Sequence, residues 1–178
     1  MKVKDIYSMI ALIFSANFQN VIEKEKFENL PPKWLLTNES KENKKAHELW
    51  DMAKSESYED IEKDFKELKP YFQMSYYKLI NEIEVQIFYD RSRYKKPFST
   101  LNASHASNML ALLAAIFKVH DEKTHQFLGE YLTIYFMESF RALAEILKTQ
   151  SKTSYYQSFG WFMDDYLKML KITLKLKI

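Results

Sequence analysis

A chain of 178 residues, 47% of them hydrophobic, has material for one well-stocked domain, since about 150 residues already bury close to 70% of the unfolded surface. Two glycines in that length nearly exclude a Rossmann sheet, a P-loop or a large β-sandwich, which need repeated left-handed turns or close backbone approaches. The 26 basic residues nearly balance 24 acidic ones, Arg supplies only Arg91, Arg93 and Arg141, and Cys is absent, so neither a broad phosphate-binding surface nor thiolate chemistry is announced.

The first predicted helix runs from Asp5 to about Phe14, with Ile6, Met9, Ile10, Ile13 and Phe14 on one face, and frays over Ser15 to Asn20. Its two early lysines are followed by an apolar stretch that Asn17, Gln19 and Asn20 interrupt, so the expectation is a mature helix and not a signal peptide. A second helical piece over Val21 to Leu30 must stop at Pro31-Pro32. Polar Thr37 to Lys45 reads as a loop, and Ala46 to Lys54 as a short helix with Leu49, Trp50 and Ala53 inward. Ser57, followed by Glu59 and Asp60, suits the N-cap of a helix over Tyr58 to Leu68.

From Pro70 a single apolar stripe, Phe72, Tyr76, Leu79, Ile80, Ile83, Ile87 and Phe88, predicts one helix that breaks over Tyr89 to Thr100. Ser104 or Asn102 can cap the next helix, which runs to about Val119 and is apolar on almost every face, as a central helix is. A long helix from Thr124 to Lys148 encloses Gly129 at a point read as close helix packing, and a last helix spans Ser154 to Leu170 around Gly160. The alternating tail, Lys171 to Ile178, fits an edge strand, a frayed end or, preferred here, a continuation of that helix. The fold class is therefore all-α, a single-domain bundle of about seven to nine helices covering residues 1–178, with no stretch apolar enough to span a membrane.

Motifs for catalysis are scarce. The histidines are His47, His105, His120 and His125, and Glu122 with His125 makes one Glu-x-x-His pair where a di-iron bundle needs two and further carboxylates. No His-Glu-x-x-His, Gly-x-Ser-x-Gly or Walker motif is present. The pairs Glu82/Glu84 and Asp164/Asp165 do not share a helical face and read as solvated surface. Arg91, Arg93, Lys95 and Lys96, interleaved with Tyr89 and Tyr94, carry only four charges beside Asp90, too few for a nucleic-acid groove. An aromatic-rich break between two apolar helices suits a peptide better, although most aromatics must be core. The residues thus name no catalytic residue, metal site or cofactor.

The order of the pieces resembles the TorD/DmsD/NarJ group of chaperones for molybdenum-cofactor oxidoreductases. Ile6-Tyr7-Ser8-Met9-Ile10-Ala11-Leu12-Ile13-Phe14 is similar to the family's Tyr-x-Leu-Leu-x-x-Leu-Phe helix. Val85 to Asp90 leading to Pro97-Phe98-Ser99-Thr100 keeps the apolar-Phe and Pro-aromatic elements of a second motif and lacks its Gly-Pro and Glu. Ala103-Ser104-His105-Ala106 keeps the His of Pro-Asp-His-x-Ala, with Ser104 in the place of its Asp. Tyr155-Tyr156-Gln157-Ser158-Phe159 followed by Asp164-Asp165 is similar to the family's ending, so the resemblance extends from Ile6 to about Leu170.

The resemblance implies a cytoplasmic, all-helical chaperone that is not an enzyme, monomer or homodimer. It would bind the twin-arginine leader or apo form of a molybdopterin oxidoreductase, a reductase or formate dehydrogenase, and assist cofactor insertion before export. A helical protein-interaction module or regulatory scaffold without a redox client is the alternative. A leader offers an apolar segment beside two arginines. The expected peptide site therefore has Phe88, Tyr89, Tyr94, Pro97 and Phe98 as groove wall and Glu84 and Asp90 facing guanidinium groups, with Ser104 and His105 at the leader-binding helix start. His105 is either a donor to a peptide carbonyl or simply a cap satisfied by its own loop.

Overall fold

The structure, a computed structural model, describes residues 3–119 and 122–176, without the side chains of residues 3 and 122–125. The protein is all-α. Its helices are α1 (Val3–Gln19), α2 (Lys24–Glu28), α3 (Lys41–Ala53), α4 (Tyr58–Leu68), α5 (Glu82–Ser92), α6 (Ala106–Lys118), α7 (Glu122–Glu130), α8 (Met137–Gln150) and α9 (Ser154–Thr173). Short 3-10 turns cover Lys69–Phe72 and Met74–Tyr77, and a π-helical segment, Tyr131–Phe136, joins α7 to α8. Among the described residues no helix is long and apolar enough to cross a membrane.

Capping chemistry sets most of the starts. Ser57 Oγ accepts from Asp60 N at 3.2 Å and opens α4 where the sequence predicts. Ser40 Oγ accepts from Asn43 N at 3.0 Å, so α3 begins inside the stretch read as a loop. The helix expected from Pro70 is broken instead. Lys78 adopts a left-handed φ of 58° at the end of the second 3-10 turn, and Asn81 restarts the chain as α5 by accepting from Glu84 N at 2.9 Å. That break changes the phase of the stripe: Phe72, Ile80 and Phe88 are buried, whereas Tyr76, Leu79, Ile83 and Ile87 are exposed. α1 does not fray after Phe14 but continues to Gln19 with Ser15 and Phe18 buried. The tail follows the helical reading as far as Thr173; residues 177 and 178 lie outside the described residues, as do His120 and the side chains of the Glu122/His125 pair.

The chain divides into two compact units, each assembled from separated stretches. The described residues of 3–19 and 72–140 build the first around α6, ten of whose residues are buried. α1 packs along α6 through small residues. Ser8 Oγ donates to Ala114 O at 3.0 Å and Ser15 Oγ to Ser107 O at 2.8 Å, so each buried hydroxyl bonds a backbone carbonyl of α6.

Residues 20–71 and 141–176 build the second unit around α9, which packs on α3. Trp34 stacks on Phe162 at 4.3 Å between centroids and Trp50 on Tyr155 at 5.7 Å. The N-terminus of α9 is held by two carboxylates. Asp64 Oδ2 accepts from Lys152 N at 3.0 Å, Thr153 N at 2.9 Å and Thr153 Oγ1 at 2.6 Å, while Glu56 accepts from Ser154 N and Tyr155 N. Asp165, also buried, accepts from Asn38 Nδ2 at 2.8 Å, Asn43 Nδ2 at 2.9 Å and Ser40 Oγ at 2.6 Å. Asp164 pairs with Lys148. The Asp164/Asp165 pair is thus structural, because hydrogen-bond donors meet it on α9, and is not the solvated surface expected. Close helix packing belongs to Gly160, where a Cβ would lie 2.8 Å from Ala144 O; at Gly129, read from sequence as the close-packed position, a Cβ would meet nothing within 4 Å.

Candidate functional site

In the first unit, the segment between α5 and α6 is fixed from inside. Buried Asn108 accepts from Phe98 N at 3.1 Å and shares its amide hydrogens among the carbonyls of Asn102 at 2.9 Å, Phe98 at 3.1 Å and Leu101 at 3.3 Å. Glu82, in the first turn of α5, accepts from Ala103 N at 2.7 Å, Ser104 N at 2.9 Å and Ser104 Oγ at 2.6 Å. It is a loop anchor rather than the solvated carboxylate expected. Gln73 forms an isolated antiparallel bridge with His105, and Met74 N donates to Ser104 O at 2.9 Å.

This arrangement resolves His105 and Ser104. His105 is the N-cap of α6, its Nδ1 accepting from Ser107 N at 3.2 Å, and its ring meets Phe72 edge-on. Nδ1 therefore serves the loop, and the cap, one of the two roles the sequence left open for His105, is present in the structure. Ser104 is buried with its hydroxyl on Glu82.

The expected groove wall separates into core and surface. Phe88, 1% exposed, sits among Phe127, Tyr131 and Tyr135 at centroid distances of 6.0, 5.2 and 5.3 Å. Tyr89, equally buried, donates from its hydroxyl to Asn108 O at 2.6 Å, and burial with the nearby Glu82 carboxylate pushes its ionisation upward. Neither offers an exposed face to a groove, because α5 turns both toward α6 and the π segment and the Phe88 ring is covered on its remaining side by Arg91. Tyr94 and Phe98 are half-buried and Pro97 is exposed on the segment that Asn108 holds. Glu84 and Asp90 do lie on the outer side of α5, where Asp90 Oδ1 accepts from Gln86 Nε2 at 3.0 Å.

The residues that share this outer side belong to the apolar stripe that the sequence groups with Phe72 and Phe88. Ile83 and Ile87, one turn apart, are 72% and 58% exposed, so α5 carries apolar side chains on both faces. Arg91, one turn beyond Ile87, ion-pairs with Glu130 at the end of α7 and lies over the rings of Phe88 at 5.4 Å and Phe127 at 6.0 Å. The Glu130 carboxylate raises the Arg91 guanidinium above its ordinary value. Tyr135 is raised by burial first and then by Glu130. Ile134, in the π segment one turn from Glu130, is also exposed. The missed signal was local: Asn81 followed three residues later by Glu84 marks a helix start, and a helix begun there turns Val85, Phe88 and Tyr89 inward and Ile83 and Ile87 outward.

The second unit has a concavity of its own. A cleft of about 680 Å³ along α3 is lined by Pro32, Thr37, Asn38, Asn43, His47 and Asp51 among others. His47 Nδ1 is 2.9 Å from Asn43 O, which fixes the proton there, and its enclosed Nε2 has no hydrogen-bond partner. The carboxylates around it are ion-paired to lysines, Asp51 to Lys54, Glu48 to Lys45 and Glu39 to Lys44. Among the described residues no group of three or more His, Asp or Glu is gathered for a metal ion.

Chemically, the outer side of α5 offers two apolar side chains in register, two carboxylates with no cation paired to them among the described residues, and an arginine in a carboxylate–aromatic setting. Compared with protein families, curated proteins and solved structures, the chain finds no match.

Proposed function

We propose that the protein is a non-catalytic maturation chaperone that binds the twin-arginine leader or apo form of a molybdopterin oxidoreductase in the cytoplasm, before export. The observation that carries this reading is the outer side of α5, where Ile83 and Ile87 stand exposed between Glu84 and Asp90. An apolar pair flanked by carboxylates is complementary to an apolar segment flanked by arginines. The resemblance of the chain from Ile6 to about Leu170 to the TorD/DmsD/NarJ group supports the same reading, while the burial of Phe88 and Tyr89 moves the proposed ligand to the residues beside them. No step of the role asks for bond chemistry, only for a surface that holds a segment and releases it.

The test is a calorimetric titration with a twin-arginine leader peptide. Binding by the wild type and at least tenfold weaker binding by Ile83→Ser/Ile87→Ser is the expected result. Equal affinity of the two proteins would remove the α5 face from the site, and capture of no molybdopterin oxidoreductase from the native cell would remove the client. The exposed isoleucines also suit a second reading, a scaffold that docks any apolar helix. A peptide whose two arginines are replaced by Gln separates the two, since the scaffold binds it as well as the parent and the chaperone does not.

A further inference from the structure

We propose that Glu130, with the rings of Phe88 and Phe127, is a guanidinium receptor that Arg91 occupies in the free protein, and that an arginine of the bound peptide takes its place. The proposal rests on the peptide-binding reading above and names the chemistry and the regulation of that surface. A carboxylate beside aromatic rings is a setting suited to a planar, delocalised fork and less to a lysine ammonium. The structure shows a guanidinium bound there: the Arg91 side chain reaches across to Glu130, 39 residues away, with Phe88 at 5.4 Å and Phe127 at 6.0 Å.

Three features make the occupant exchangeable. The Arg91 side chain is 52% exposed and that of Glu130 26%, and ion pairs at such positions are weak and screened. Arg91 is not needed to end α5, because Arg93 makes the left-handed turn there with a φ of 60°. An exposed isoleucine also lies one turn from each end of the ion pair, Ile87 before Arg91 on α5 and Ile134 after Glu130 in the π segment. A peptide arginine entering the receptor therefore brings its neighbouring apolar residues onto Ile87 and Ile134, contacts that Arg91 itself does not supply. Arg91 acts in this account as a stand-in ligand, which raises the threshold for binding and favours segments that carry arginine next to apolar residues.

The experiment titrates a peptide with two adjacent arginines followed by an apolar stretch, and its Gln-Gln counterpart, into wild type, Arg91→Gln, Glu130→Gln and the double variant. Removing the stand-in should tighten binding of the arginine peptide at least fivefold in Arg91→Gln. That gain should vanish in the double variant and with the Gln-Gln peptide. If the arginine peptide binds the wild type and Arg91→Gln binds it no better, the receptor is overturned while the peptide-binding reading stands. If no protein binds either peptide, the peptide-binding reading fails, and N-acetylarginine amide followed by NMR then decides the receptor alone. Saturable shifts of the Phe127 and Tyr135 rings in Arg91→Gln and none in the double variant support it, and no shift in Arg91→Gln overturns it. Arg91→Lys, which keeps the charge without the fork, provides a second background and should behave like Arg91→Gln.

Discussion

The segment before α6 in one unit and the segment before α9 in the other are both held by carboxylates from a distant part of the chain, Glu82 in the first and Asp64 with Glu56 in the second. The helices beside them differ. Most of the exposed positions of α3, in the second unit, are charged, Lys41, Lys44, Lys45, Glu48 and Asp51, and only Met52 is an exposed large apolar residue there. α5, in the first unit, is apolar inward at Val85, Phe88 and Tyr89 and apolar outward at Ile83 and Ile87. The inward set suffices to seat α5, so the outward set is surplus to folding. Apolar surface that folding does not use is where binding is to be sought.

This contrast can be broken by substitution. The largest effect is expected on the buried sides. Phe88→Ala should cost about 3–5 kcal/mol in chemical denaturation, a large-to-small change in a packed core, and Asp64→Ala about 3 kcal/mol or more, since three donors lose a buried acceptor. Ile83→Ser/Ile87→Ser should change stability by less than about 1 kcal/mol while weakening the peptide. A loss on the scale of Phe88→Ala would show that the outer isoleucines are part of the fold after all. Because Trp34, Trp50 and Trp161 all lie in the second unit, tryptophan fluorescence follows Asp64→Ala directly, whereas far-UV circular dichroism sees both units.

The glycines give a smaller and signed comparison. Gly160→Ala should destabilise by about 1–3 kcal/mol, because the new methyl group meets backbone atoms of α8 at 2.8–2.9 Å. Gly129→Ala should stabilise by about 0.5–1 kcal/mol, since the helix gains propensity and the methyl group meets open space. Thermal melting of both variants checks the pair, and a stable Gly160→Ala would contradict the close α8–α9 approach.

The smallest effect concerns pH in the second unit. Hydrogen bonds from Lys168 to Glu42 and from Lys152 to Glu67 hold both carboxyls below the ordinary glutamate value of 4.5. A carboxyl lowered by folding contributes stability that is complete above the unfolded value and is lost as pH falls through the lowered one. Fluorescence-detected melting should therefore weaken slightly as pH drops below about 4.5, and less so in Lys168→Met/Lys152→Met. The lysine ends of both pairs are exposed, so high salt should shrink the difference.

The helices from α4 onward were legible wherever a cap and an apolar period agreed. Ser57 before Glu59 and Asp60 located α4, and the apolar run at Met109 to Phe117 identified the central α6. The site was less legible for two physical reasons. A helix apolar on both sides has no unique inward face in sequence, so Ile83 and Ile87 were grouped with Phe88 until the left-handed Lys78 and the cap at Asn81 fixed the phase. Partners distant along the chain leave no local pattern either: nothing near Arg91 points to Glu130, and nothing near Asp165 points to Asn38. Glu84, read from sequence as solvated surface, is exposed, and Asp90, read as part of the break after the helix, lies exposed in the last turn of α5, whereas Ser104 and His105 hold the loop that contains them.

The central claim, that the outer side of α5 holds the client's arginine-bearing segment, is tested most directly by hydrogen exchange on the full chain with and without a twin-arginine leader peptide. The account predicts added protection concentrated in peptides covering Ile83 to Arg91 and Glu130 to Tyr135, with the α3 and α9 segments unchanged. Added protection confined to the cleft along α3, or none at a saturating peptide concentration, would contradict it.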